Sequence, residues 1–189
     1  MKTLKIIGLG LLVVIAIVLI AALFVSKEFK YEKSITINKP IEQVWEHTNS
    51  LADLDEWSPW LDYDPNMKQE FTGVDGTVGA KVTWESEHEK VGKGSQTISK
   101  IEAPTLFATD LKFHTPYESE AKGYVKLRAE GDQTVVTWGF ESEMPYPFNL
   151  MKLVMNIEEE IGKDFTLGLE KLKALCEAEE TQSNDQREK

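Results

Sequence analysis

Among 189 residues the sequence has a single cysteine, Cys176. One thiol excludes an intrachain disulfide framework and leaves too few thiolates for a cysteine-based zinc site. Histidine is nearly as scarce. His47, His88 and His114 are the only three, and none is spaced with Cys, Asp or Glu as metal ligands are. Positive charge is also in short supply: 21 Lys and Arg face 32 Asp and Glu, a formal net charge of −11. A nucleic-acid binder needs a basic face to displace phosphate counterions, so that class is excluded. What the chain does have is apolar residues. At 41% of the total they are enough for a core, which excludes wholesale disorder.

Those apolar residues are unevenly spread. Ile6 to Val25 runs for 20 residues without a charged or polar side chain. A helix of that length spans roughly 30 Å, one bilayer core, and Gly8 and Gly10 are tolerated in such a helix. The competing reading is a cleaved signal peptide, which needs small residues at both key positions before the cut. Ala21-Ala22-Leu23-Phe24-Val25-Ser26 offers no such pair, since a cut after Ser26 places Phe24 at the other position. The sequence therefore predicts a retained single span over residues 6–25 after a short basic head at residues 1–5. Lys2 and Lys5 before the span nearly balance Lys27, Lys30 and Lys33 after it. The very short head favours an inside N-terminus, with the domain on the outer, periplasmic or extracellular, side. Taking Lys2 and Lys5 from the 21 basic residues leaves 19 against 32 acidic, so the remainder carries −13. A domain of that sign is repelled by an anionic leaflet.

The soluble part opens with a β-rich alternation, Tyr31 to Ile37, which Asn38-Lys39-Pro40 breaks. Ile41, Val44, Trp45 and Thr48 recur at helical spacing, giving a short helix over 40–49, and a second covers Leu51 to Glu56. Pro59 and Pro65 make the next stretch an irregular connection. Strands follow at Lys68–Thr72, Ala80–Glu87, Gly92–Ile101, Leu106–Phe113, Glu118–Ala129 and Thr134–Ser142. Each has one apolar and one polar face, as in an antiparallel meander covered on one side. From Pro147 apolar residues step by three or four as far as Leu175, which predicts one amphipathic helix of about 30 residues packed on the sheet. Gly162 and Gly168 inside it admit two readings, close helix–sheet packing or space left for a ligand. Residues 179–189, polar and aperiodic from Thr181, are expected to be a disordered tail.

The order of one strand, two short helices, six strands and a long C-terminal helix is similar to the START-like helix-grip fold. Particular stretches carry the resemblance further: Trp57-Ser58-Pro59-Trp60, Asp64-Pro65-Asn66-Met67, Gly76-Thr77-Val78-Gly79-Ala80, Trp84-Glu85-Ser86, Val91-Gly92-Lys93-Gly94 and Met144-Pro145-Tyr146-Pro147. They resemble the bacterial SRPBCC group, labelled polyketide cyclase/dehydrase and lipid transport. The likeness covers residues 30–176, nearly all of the soluble domain at residues 30–178. It implies an α+β fold in which a curved antiparallel sheet grips the C-terminal helix around an apolar cavity. It also implies a lipid, sterol, polyketide or hormone ligand, with catalysis in some members only.

The residues themselves show no catalytic constellation. Asp62, Asp64 and Asn66 open like a calcium loop, but Met67 and Gly73 stand where Gly and Glu are required. A turn capped by Asx side chains is the better reading. Cys176 falls beside the apolar helix stripe, away from any histidine, and Glu158-Glu159-Glu160 reads as a solvated face. The aromatic residues are more suggestive. Trp57, Trp60, Trp84, Phe107, Phe113, Trp138, Phe140 and Phe165 are expected to face one interior, as a packed core or as a cavity wall. Gln96 and Thr109, inward by strand alternation, are the candidate polar handles, and a single β-bulge would invert that parity. No cofactor and no metal are expected. The leading expectation is a membrane-tethered domain binding a lipid or other apolar small molecule. A polyketide cyclase-like enzyme using the same cavity is the first alternative. A closed-core protein whose acidic surface meets a basic partner is the second.

Overall fold

The computed structural model describes residues 2–115, 117–154 and 156–185, with side chains described from 5 to 178 except Val154. Helix α1 (Lys2–Ala22) stands before a seven-stranded sheet. The strands are β1 (Glu28–Ile37), β2 (Lys68–Thr72), β3 (Lys81–Glu85), β4 (Lys93–Glu102), β5 (Leu106–Thr115), β6 (Ser119–Glu130) and β7 (Gln133–Glu143). Their spatial order is β1-β7-β6-β5-β4-β3-β2, antiparallel throughout. Helices α2 (Ile41–Glu46), α3 (Leu51–Trp57) and α4 (Trp60–Tyr63) fill the connection from β1 to β2. After β7 come a 3-10 turn (Phe148–Leu150), α5 (Met151–Val154) and α6 (Ile157–Asp185). This is the α+β helix-grip arrangement, a curved antiparallel sheet closed over a long C-terminal helix.

Strand alternation sets the faces. Val125 and Leu127 of β6, and Val136 and Trp138 of β7, are buried together with Leu169, Leu172 and Cys176 of α6. Burying a large apolar side chain contributes about 1.5–3 kcal/mol, so this cluster is the main source of stability. A second cluster joins Leu51 to Ala80, Val82, Ile98 and Phe107. The other faces of the strands are polar. There Tyr124 lies over Gly139, where an added Cβ would stand 2.1 Å from the tyrosine ring. Polar contacts lock α6 along the β1 edge: Lys173 Nζ donates to the Thr36 carbonyl at 2.7 Å, and Glu177 Oε1 accepts from the Asn38 backbone at 2.9 Å.

Four departures from the expected elements have local causes. Trp60–Tyr63 forms one helical turn inside the expected irregular connection, because Pro59 already has helical backbone angles. The C-terminal helix is not continuous from Pro147. It restarts after Asn156, whose carbonyl accepts the Glu159 and Glu160 N–H groups at 3.1 Å, and three glutamates then occupy the positive first turn. At its other end α6 runs to Asp185, into the stretch expected to be a tail. Once nucleated, a helix propagates cheaply through Glu, Ala and Gln. Residues 186–189 of that stretch lie outside the described residues. Helix α1 ends at Ala22, three residues before the apolar run does, because Asn149 caps it: its Nδ2 donates to the Ala22 carbonyl at 2.7 Å and the Val25 carbonyl at 2.8 Å.

The two helix glycines mark close packing. A Cβ at Gly168 would stand 2.7 Å from the Trp138 ring and 3.3 Å from the Trp57 carbonyl. One at Gly162 would stand 2.6 Å from the Tyr31 hydroxyl. Alanine is the better helix former by about 1 kcal/mol. Even so, Gly168→Ala is expected to lower stability by about 1–2 kcal/mol, since Trp138 is held by Trp57, Trp60 and Phe165 and overpacking outweighs propensity. Chemical unfolding of the full chain in detergent measures this, and an unchanged or higher midpoint would show that Trp138 can move.

Candidate functional site

Between the sheet and α6 lies a cavity of about 260 Å³. Its position follows from four cross-strand pairings near one end of the sheet. Trp84 faces Gly94, Gly94 faces Phe113, and Gln96 lies between Val82 and Leu111. The Trp84 indole spreads across Gly94, where a Cβ would approach it to 2.5 Å. Its Nε1 donates to the Val91 carbonyl at 3.3 Å, and its ring meets Phe113 edge-on at 6.0 Å. The glycine thus lets a tryptophan lie flat as cavity wall. Opposite, Trp138 stacks on Phe165 at 4.1 Å and takes the edge of Trp60 at 5.5 Å. Phe140 and Ile161 complete the apolar lining.

Seven of the ten residues singled out in the sequence therefore border the cavity: Trp60, Trp84, Gln96, Phe113, Trp138, Phe140 and Phe165. The other three stand behind the wall. Trp57 is fully buried against Trp138 at 4.7 Å, and its Nε1 donates to the His47 carbonyl at 3.0 Å. Phe107 belongs to the second apolar cluster, one register step deeper. Thr109 is buried beneath Gln96 and accepts its Nε2 at 2.9 Å. The β4–β5 pairing carries two irregularities, one between Lys93 and Gly94 and one between Ile98 and Lys100, and Gln96 lies in the regular stretch between them, on the cavity side.

The cavity has polar groups that strand alternation did not single out. Asp55, from α3, Ser58, which caps the end of α3, and Gln69, from β2, reach it from the side. Gln69 Nε2 donates to Asp55 Oδ2 at 2.7 Å. Burial pushes the Asp55 carboxyl above the ordinary carboxylate range, the Gln69 hydrogen bond opposes this, and the charge of Asp75 adds to it. Asp75 itself holds the start of α3, accepting the Leu51 and Ala52 N–H groups at 2.9 and 3.0 Å. Lys90 lines the outer edge, 4.7 Å above the Tyr63 ring, and Tyr63 stacks on His88. The Tyr63 hydroxyl donates to Asp164 of α6, a bond that raises its pKa and keeps it a neutral donor. This set of contacts ties α4, the β3–β4 loop and α6 together beside the opening.

The remaining candidates have ordinary structural partners. Asp64 accepts the Asn66 N–H at 3.1 Å and the Ser86 hydroxyl at 2.5 Å, while Asp62 pairs with Lys171 at 2.8 Å. The would-be calcium loop is thus an Asx turn with its carboxylates pointed at different partners. Cys176 packs in the main cluster, and Glu159 and Glu160 pair with Lys163 on the exposed face of α6. Among the described residues no three His, Cys, Asp or Glu side chains converge as a metal site.

A helix-gripped cavity lined by aromatic rings places the domain among helix-grip proteins. The family profile described as polyketide cyclase / dehydrase and lipid transport matches residues 28–177, and the chain belongs to that family. Solved structures share the fold at low identity. A protein from Nitrosospira multiformis superposes with a TM-score of 0.56 at 19% identity, over 77% of this chain and 94% of its own. Mll3558 from Rhizobium loti superposes with 0.56 at 18%, over 78% and 96%. The di-domain ARO/CYC StfQ from the steffimycin biosynthetic pathway superposes with 0.60 at 7%, over 82% of this chain and 52% of that one. No curated protein matches the sequence.

The raised Asp55 pKa has a consequence for stability. Between the ordinary carboxylate value and the raised one, the folded state binds more protons than the unfolded chain. The Asp55 contribution to stability therefore falls as pH rises through that window. Asp55→Asn is expected to melt above the native chain at about pH 7, with the gap closing toward about pH 4. Thermal melts across that range check it. A variant that melts lower at neutral pH would mean that the Gln69 hydrogen bond outweighs the burial of charge.

Proposed function

We propose that the chain is a membrane-tethered SRPBCC domain that takes up a small apolar molecule, a short lipid or a ring compound, between the sheet and α6. The cavity carries this reading. It is walled by flat aromatic rings with a few convergent polar groups, the composition of small-molecule sites. Its volume of about 260 Å³ lies just below the usual range of such pockets, about 300 to 1,000 Å³, so one ring system or one short chain suits it better than a whole two-chain lipid. Asp55 and Gln96 would meet a hydroxyl or amine on an otherwise apolar ligand.

The tether is residues 6–25. Lys5–Ala22 is long and apolar enough to cross a bilayer, and almost none of it is buried against the domain. Asn149 supports retention of this helix, since the Ala22 and Val25 carbonyls accept from the Nδ2 of this buried side chain of the domain. The short basic head supports an inside N-terminus and a domain on the outer face. One observation favours a cyclase-like second reading. Asp55 is a half-buried carboxyl of raised pKa on the cavity wall, the environment of a general base. Turnover of a polyketone lost in Asp55→Asn, with binding retained, would establish that reading.

The binding reading is tested with the full chain in phosphatidylcholine nanodiscs. Native mass spectrometry is expected to find an apolar molecule bound one per chain, or uptake of added 1-aminoanthracene. Leu111→Trp, which fills the cavity from the rigid sheet, is expected to weaken that uptake by about tenfold or more, about 1.4 kcal/mol. A clean mass with no uptake by the native chain would mean a closed aromatic core, and the acidic surface would then be the place to look for partners.

A further inference from the structure

Strand ends, the tether and the cavity opening all meet at one rim of the sheet. Glu28 pairs with Glu143, Phe113 with Ser119, Lys93 with Thr115 and with Glu85, and Glu85 with Lys68. The rim therefore comprises the start of β1, the end of β7, the start of β6, the end of β5 and so on to β2. Helix α1 enters at this rim, because β1 begins just after it. Trp84, Phe113 and the exposed Lys90 bring the cavity lining to the same rim.

The connection from β7 to α6 leaves from this rim and carries partly exposed apolar side chains. Phe148 is 62% exposed and Leu153 68%, with Tyr146 and Met151 also exposed. Phe24, directly after α1, is exposed too. The segment is not loosely attached. Asn149 in its middle is fully buried and donates to the Ala22 and Val25 carbonyls, and Lys152 Nζ donates to the Glu28 carbonyl at 2.6 Å. The fold thus places these side chains around the point where the tether leaves the domain. Aromatic and aliphatic side chains at the end of a spanning helix, with lysines among them, are what a bilayer interface receives.

We infer that Phe148, Met151 and Leu153 form a collar that dips into the lipid–water interface around the end of α1 and seats the rim, with the cavity opening, on the bilayer surface. This rests on the membrane-tethered reading above. The occupant is the interface itself, continuous with the bilayer that α1 enters. The domain's charge of −13 makes the contact apolar, so zwitterionic lipid suffices and salt does not weaken it.

The test uses the full chain in phosphatidylcholine vesicles, with an environment-sensitive fluorophore at single introduced cysteines. Phe148→Cys and Leu153→Cys report on the collar and Lys90→Cys on the opening. Ile15→Cys in the span and Asp132→Cys at the far β6–β7 turn are references, and the native Cys176 is buried. Nitroxide lipids are expected to quench positions 148 and 153 about threefold more than 132, with 90 quenched by headgroup nitroxide, equally at about 0.1 and about 1 M salt. If iodide reaches 148 and 153 as freely as 132 while 15 stays shielded, the collar is wrong and the tether stands. If iodide reaches 15 as well, both fall. Shielding at 148 and 153 with 90 fully open to iodide overturns the seating of the cavity opening.

Discussion

The domain depends on how closely α6 can approach Trp138. The indole is held between Phe165 on one face and the edges of Trp57 and Trp60, and Gly168 removes the side chain that would keep the helix away. One ring thereby does two jobs. Its contacts with Trp57 and α6 belong to the packed core, and its free side forms the cavity wall. Since interiors are dense and rotamers few, a wall that doubles as core is fixed in place. The cavity keeps its shape because the structure around it cannot relax inward without losing those ring contacts.

Polar groups near the cavity are organised in pairs. Gln69 meets Asp55, Gln96 meets Thr109, and Tyr63 meets Asp164. A half-buried polar group without a partner is costly, so each pair lets a hydrophilic atom border an apolar space. The arrangement also prepares specificity. Each pair leaves lone pairs or N–H groups in place, and a ligand that lacks the complementary atom leaves them unmet. Shape from the aromatic rings and orientation from the amides and carboxyl are thus separate properties, set by different strands.

Local periodicity explains which parts were legible in advance. Alternation in β4 to β7 and helical spacing in α2, α3 and α6 depend on near neighbours, so the elements and the inward aromatic positions could be read from one sequence, with packed core and cavity wall left as alternatives. Gln96 lies on the cavity side, in the regular stretch of β4 between the register shifts at Lys93/Gly94 and Ile98/Lys100. Asp55 and Gln69 could not be found this way. Their meeting depends on where α3 and β2 come to lie, a tertiary event with no local signature. Trp57, Phe107 and Thr109 show the complementary limit: alternation says that a side chain points inward, not whether it meets a wall or a void. Asn149 is the extreme case, since its partner at Ala22 lies 127 residues earlier.

That hydrogen bond makes the domain sensitive to whether its leader stays attached. A protease cutting between Val25 and Glu28 would let the carbonyls of Ala22 and Val25 drift away from an amide that is otherwise shut off from water. Stranding such a group costs about 1–3 kcal/mol, a substantial share of the stability of an ordinary domain. Such a cut would therefore leave a weakened fragment, more easily opened and degraded than the whole chain. Continuity with the N-terminal helix and mechanical soundness of the fold are in this way the same variable, and the population of intact domain reports whether that helix is still joined.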